Sequence, residues 1–185
     1  EIDGLSEGIC YCYRVKNGKI DPLGNSYQDF LLLDPCARAI SGWDIYKRIS
    51  INQASSNHEN CLKAVVCERD QFDFAAHPRP MHSWNKTIIY ELHVDAFTHR
   101  SESGVNPNNQ GKFLGLIEKI PYLKDLGVTA IELLPVFAFD SLDAPLGVNN
   151  YWGYSPINWF TPHQDYISTK NPLKARQEFR DFVSA

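Results

Sequence analysis

Long apolar runs are missing from this 185-residue chain, and nothing in it approaches the roughly 20 consecutive apolar residues that a membrane-spanning helix needs. A basic-plus-apolar leader is absent too. The sequence begins at Glu1 and its single methionine is Met81, so the start of the parent polypeptide is expected upstream. Cysteine is sparse: Cys10, Cys12, Cys36, Cys61 and Cys67 are odd in number and contain no C-x-x-C. That pattern argues against a closed disulfide framework and against a zinc knuckle, and it points to a reducing, cytoplasm-like compartment. Positive charge is in deficit, with 18 Lys and Arg against 22 Asp and Glu for a formal net charge of -4. No lysine/arginine cluster accompanies the aromatic residues, which excludes nucleic acid as a partner. No membrane partner is expected either. No spacing among the six histidines makes a metal site, and no cofactor is expected. What remains, 43% hydrophobic and 22% charged, is the composition of a globular protein.

The front of the chain is β-rich in pattern. Ile9, Tyr11, Tyr13 and Val15 alternate with Cys10, Cys12 and Arg14, which predicts a half-buried strand over 8–15 entering a tight turn at Asn17-Gly18. A second strand is expected at Phe30-Leu31-Leu32-Leu33, stopped by Asp34-Pro35, and a third around 62–67. Residues 52–60 are polar, and 70–84 carry Pro78 and Pro80, so this region reads as an extended connector with a boundary near 80–86.

Beyond it the period changes. Thr87-Ile88-Ile89-Tyr90-Glu91-Leu92-His93-Val94 is nearly continuously apolar and β-branched at its start, the pattern of a strand buried on both faces. Phe113, Leu116, Ile117, Ile120, Leu123 and Leu126 recur at helical steps with Gly127 as the stop, and Pro121 predicts a kink or break. Val128 to Leu134 is the next buried strand. Strand, helix and strand of these lengths predict a βαβ unit with parallel strands. Asn171-Pro172 reads as an N-cap and first position of a further helix carrying Leu173, Phe179, Phe182 and Val183.

The most telling stretch is Asn149-Asn150-Tyr151-Trp152-Gly153-Tyr154-Ser155-Pro156, just past Glu132-Leu133-Leu134-Pro135. Three large rings around one glycine offer flat apolar faces with polar tips, which suits a pyranose whose faces are rich in C–H and whose rim is hydroxylated. His93 and His163 are candidate hydroxyl partners, with packing or capping as the alternative role. Asp95, Asp140, Asp143 and Asp165 are each placed to face a cleft, but none carries a motif marking it as nucleophile or acid. Glu91 and Glu132 hold matching positions on adjacent strands and read as structural carboxylates or as groups pointing inside a barrel.

The run Ile89-Tyr90-Glu91-Leu92-His93-Val94-Asp95-Ala96-Phe97-Thr98, the run from Tyr122 to Pro135, and Asn150-Tyr151-Trp152-Gly153-Tyr154 followed by Phe160-Thr161-Pro162-His163 resemble the start of a catalytic barrel. The family is the α-amylase superfamily, glycoside hydrolase family 13, most closely its glycogen-debranching and isoamylase branch. Tyr13-Arg14-Val15 and the run from Leu31 to Gly42 are similar to the end of the early-set β-sandwich, the family 48 carbohydrate-binding module, that precedes such barrels. The resemblance implies an α/β fold: the first two βα units of an incomplete TIM (β/α)8 barrel over 87–185, preceded by part of an all-β early-set sandwich over 1–50 and a linker over 51–86.

The same resemblance implies that Tyr154 stacks under a glucosyl ring, with Trp152, Asn150, Tyr151 and His163 helping to bind an α-glucan polysaccharide or maltooligosaccharide. It implies α-1,6 debranching by retaining double displacement. The catalytic carboxylates of the family lie on later strands, so none is expected here, and the chain alone is expected to be inactive. A branching enzyme, a trehalose-releasing hydrolase and a noncatalytic glucan-binding remnant are the alternatives. A glucan-storing compartment, cytoplasmic or plastid-like, is the expected setting.

Overall fold

In the computed structural model, which describes residues 4–14, 30–48, 56–68 and 72–185, the alternating stretch at the front splits at Cys12 into two short strands. β1 (Cys10–Tyr11) pairs antiparallel with β5 (Lys63–Val65), and β2 (Tyr13–Arg14) pairs antiparallel with β3 (Leu31–Leu32). The single half-buried strand expected there is therefore corrected. Cys12 turns its thiol to the Leu62 carbonyl at 3.6 Å, the chain changes partner at that point, and Tyr13 ends up exposed. Val15, the Asn17-Gly18 turn, residues 52–55 and Asp70 lie outside the described residues.

The strand expected around 62–67 is β5, and it forms the centre of a three-stranded sheet between β1 and β4 (Ile40–Ser41). Its Ala64 and Val65 are buried, and Ala64 packs with Ala37, Ile40 and Leu62 against a residue from far along the chain, Ala138. Residues 72–88 run as an extended, mostly exposed connector with 3-10 turns at Phe74–Ala76 and Trp84–Lys86.

β6 (Ile89–Leu92) and β7 (Ala130–Leu133) pair in parallel, Ile89 opposite Ala130 and Glu91 opposite Glu132, as the βαβ pattern predicts. Burial on both faces does not occur: Ile88 and Ile89 are each 55% exposed. Among the described residues the two strands pair only with each other, and the helices cover one face. Tyr90, Leu92, Ile131 and Leu133 point to that face, while Glu91 and Glu132 stand side by side and exposed on the other.

The connecting helix α2 (Phe113–Asp125) runs through Pro121 without a break, which corrects that half of the expected kink or break. Proline deletes one backbone bond, and anchors on both sides of it, Phe113 and Leu116 before and Leu123 after, hold the helix on the core. It stops as predicted. Gly127 takes φ +89°, its N–H donates to the Lys124 carbonyl and that of Val128 to Leu123, both at 3.0 Å, a Schellman ending that a left-handed glycine makes possible.

A short helix α1 (Val94–Thr98) follows β6 directly, and β8 (Phe137–Phe139) pairs antiparallel with β9 (Pro156–Pro162) through bulges. In α3 (Pro172–Ser184) the Asn171 side chain accepts from the Leu173 N–H at 3.0 Å with Pro172 in the first turn, as the sequence predicts. α3 packs on α2 through Phe113, whose ring centroid lies 5.1 Å from that of Phe179 and 5.4 Å from that of Phe182. Full burial of rings and leucines of this kind contributes about 1.5–3 kcal/mol each. No helix among the described residues is long and apolar enough to cross a membrane.

Candidate functional site

A cavity of about 200 Å³ opens where the chain leaves the carboxyl end of β6, between it and the loop that joins β8 to β9. His93, the first residue past β6, caps α1: the Ala96 N–H donates to its Nδ1 at 3.3 Å. An Nδ1 that accepts is unprotonated, so Nε2 carries the hydrogen, and it lies 2.9 Å from the Tyr151 carbonyl and 3.2 Å from the Tyr166 hydroxyl. Tyr151 lies flat on the imidazole, with centroids 4.1 Å apart at 13°. Its hydroxyl donates to Asp95 Oδ2 at 3.1 Å, while His99 holds the other oxygen at 2.9 Å. Burial first, then the Asp95 carboxylate, pushes the Tyr151 phenol up to about 12.

His163 forms the back of the cavity. It is stacked on Phe139 at 3.5 Å and 11°, and the Phe139 N–H makes a long contact to Nδ1 at 3.5 Å. By the same argument Nε2–H faces Asp165, 3.5 Å away. That hydrogen bond is the main cause holding the Asp165 carboxyl below its usual range, with the Lys112 charge a lesser one. A depressed carboxyl does not serve as a general acid near neutral pH.

The aromatic loop is built from the residues between β8 and β9. Asn150 is its hinge: its Nδ2 donates to the Asp140 carbonyl at 3.1 Å, its Oδ1 accepts from the Gly153 N–H at 3.2 Å, and its own N–H reaches the Ser141 carbonyl at 2.9 Å. Gly153 is required there, at φ +81°, because a Cβ would stand 2.8 Å from the Phe139 ring. Of the residues singled out in the sequence, Asn150, Tyr151 and His163 line the cavity together with His93, Asp95 and Asp165. Tyr154 and Trp152 do not line it. They stand on the outer side of the loop, 70% and 63% exposed.

Asp140 and Asp143 do not face this cavity. Asp140 is buried and accepts from the Tyr46 hydroxyl at 3.1 Å, from Arg48 at 3.2 Å and from the Leu142 N–H at 3.0 Å. Asp143 pairs with Arg48 and accepts from the Ser155 hydroxyl at 2.6 Å. Both acids tie the loop to the front of the chain. Tyr166 and Phe139, which orient the two histidines, were not evident from the sequence, since neither sits in a pattern distinct from ordinary core aromatics.

Residues 92–172 match the family described as alpha-amylase, catalytic domain. Over 192 aligned residues the chain is 35% identical to Isoamylase 3, chloroplastic, of Oryza sativa subsp. japonica, covering 98% of this chain and 24% of that protein. Over this stretch the chain is similar to the α-amylase family. It is similar in fold to the catalytic module of the multi-modular glycogen-degrading pneumococcal virulence factor SpuA, at 32% identity and a TM-score of 0.60 over 84% of this chain and 23% of that one. Pullulanase type I from Bacillus subtilis str. 168, solved complexed with maltose, gives 29% identity and a TM-score of 0.61 over 83% of this chain and 21% of that one. The chain thus spans about a quarter of the length of the relatives it matches.

Proposed function

We propose that the protein containing this chain is a glycoside hydrolase that cuts α-1,6 branch linkages in glycogen-like α-glucan by retaining double displacement. In this reading residues 87–185 form the first two βα units of a TIM-type barrel, and the front strands end an early-set sandwich. The observation that carries the reading is the aromatic loop packed on His93 at the carboxyl ends of two parallel strands, the end at which such barrels hold their sites. The glycogen-degrading, isoamylase and pullulanase names of its relatives support the substrate class.

Tyr151 and His93 form the inner wall of the sugar site, and Tyr154 and Trp152 offer exposed rings to a glucan arriving from outside. The retaining mechanism needs two carboxyl groups about 5–5.5 Å apart, one attacking and one protonating the leaving oxygen. Asp140 and Asp143 are committed to Arg48, and Asp95 to Tyr151 and His99, so the reading assigns both catalytic acids to parts of the protein beyond residue 185. A complete barrel takes roughly 250 residues. A glucan-storing compartment, plastid-like or cytoplasmic, is the proposed setting, and the chloroplastic relative supports it.

Incubating the full-length protein with amylopectin tests the chemistry. Falling branch content, with the released reducing ends first appearing as the α-anomer and no new branches forming, is the expected result; rising branch content would identify a branching enzyme instead. The 185-residue chain alone is expected to show no hydrolysis. Tyr154→Ala in the full-length protein should weaken maltooligosaccharide affinity by roughly tenfold, equivalent to about 1.4 kcal/mol. Unchanged affinity would remove Tyr154 from the site.

A further inference from the structure

A second, larger cavity of about 580 Å³ lies along the seam between the front strands and the rear half of the chain. One wall is the turn that follows β4, with Trp43 and Asp44. The other is the segment from Gln164 to Lys170, with Lys112 beside it. Its volume falls inside the range of about 300–1,000 Å³ common for small-ligand clefts, whereas the 200 Å³ cavity beside His93 falls below it. The two cavities adjoin, because Asp165 lines both.

Both walls are held in place by the protein itself. Lys112 Nζ donates to the Ile167 carbonyl at 3.1 Å, and Gln164 Nε2 donates to the Thr169 carbonyl at 3.0 Å. The Ser168 N–H and hydroxyl donate to the buried Glu178 carboxylate at 2.9 and 2.6 Å, which fastens that wall to α3. Opposite, Trp43 stands edge-on to His163 and Tyr46, with centroids at 5.7 and 6.3 Å. A cleft with fixed walls costs little to organise on binding.

The lining chemistry narrows the ligand. Two lysines, Lys112 and Lys170, are balanced by two carboxylates, Asp44 and Asp165, so the cleft selects neither an anion nor a cation. Among the described residues no His, Cys, Asp and Glu group is arranged for a metal ion. A single indole offers a flat apolar face, and the amide, hydroxyl and charged groups around it offer donors and acceptors on several sides. Neutral, flat-faced and hydroxylated along its rim describes a sugar chain.

We propose that the seam cavity is a second glucan site, which takes a neutral maltooligosaccharide and adjoins the first site across Asp165. This rests on the reading that the protein handles α-glucan. The test labels the full-length protein with 5-fluorotryptophan and titrates maltohexaose, following the Trp43 resonance, assigned with Trp43→Phe, beside that of Trp152. The Trp43 signal is expected to shift saturably, and Trp43→Ala is expected to weaken one of two binding events by roughly tenfold while Trp43→Phe retains most of it. A Trp43 signal that stays fixed while the Trp152 signal moves would overturn the seam site and leave the glucan reading standing. Both signals fixed would overturn both. Should Trp43→Ala lose its fold, the resonance of the unmutated protein still decides.

Discussion

Gly153 transmits more than its size suggests. A methyl group there meets the Phe139 ring, which is itself the platform under His163, so Gly153→Ala presses on the imidazole through one intervening ring. The left-handed backbone adds about 1–2 kcal/mol of its own. We expect the variant to melt lower and to bind maltooligosaccharide more weakly; a variant with unaltered melting and affinity would show that the loop absorbs the methyl elsewhere. Tyr151 makes a prediction in pH. Its phenol is raised by burial and by Asp95, so the folded state favours the neutral form. The stabilisation is complete below the ordinary tyrosine value of about 10 and is lost as pH rises towards about 12. An ultraviolet titration of the protein minus that of Tyr151→Phe should isolate one phenol ionising near 12, and a phenol ionising near 10 would contradict the packing on His93.

At the scale of elements, the aromatic loop is a guest of the front strands. Arg48 and Tyr46 reach Asp140 across 92 and 94 residues of sequence, and Arg48 also holds Asp143. The Ser155 hydroxyl chiefly, with Arg48, holds the Asp143 carboxyl below its usual range, so the clamp is present above ordinary carboxylate values and releases only as pH falls beneath them. Asp140→Ala takes the acceptor away from the half-buried Tyr46 hydroxyl, from Arg48 and from the Leu142 N–H, and the Tyr46 hydroxyl bond alone is worth about 0.5–1.5 kcal/mol. The expected outcome is a lower Tm together with faster proteolysis inside 141–155; equal cleavage rates would show that the loop does not need the clamp.

Such long-range roles explain what the sequence hid. Asp140 and Asp143 read as cleft acids because nothing near them in the chain announces Arg48. The break at Cys12 was equally illegible, since period two describes a strand's faces and not its partners. Pro121 predicts a kink or a break from local propensity, and the break is absent because core contacts on either side hold the helix. By contrast, the Gly127 ending and the Asn171-Pro172 cap are legible because residues within a turn or two specify each, and the parallel pair is legible because a helix of this length between two strands returns the chain in the same direction. Of the site, the loop residues Asn150 and Tyr151 were legible from their own motif, whereas Tyr166 and Phe139 act through tertiary stacking alone.

For the whole molecule, the seam joins the halves by more than side-chain contact. Asn158 Nδ2 donates to the Asp34 and Pro35 carbonyls at 3.3 and 3.0 Å, and the Thr161 hydroxyl donates to the Ala37 carbonyl at 2.9 Å. A strand of the rear half is thus bound to the backbone of the front. Separating the chain at residue 86 should therefore leave the front piece without a cooperative thermal transition, while the rejoined chain regains it; independent melting of the two pieces would refute this.

Ala138 carries a consequence for anyone recombining relatives. It is fully buried among Ala37, Ile40, Leu62 and Ala64, so the inner lining of the front unit is completed by an amino acid encoded some fifty codons after the apparent junction. A chimera cut at the proline-rich connector would inherit a mismatched plug. Donor segments exchanged between these proteins need to travel with their own β8 and β9 hairpin.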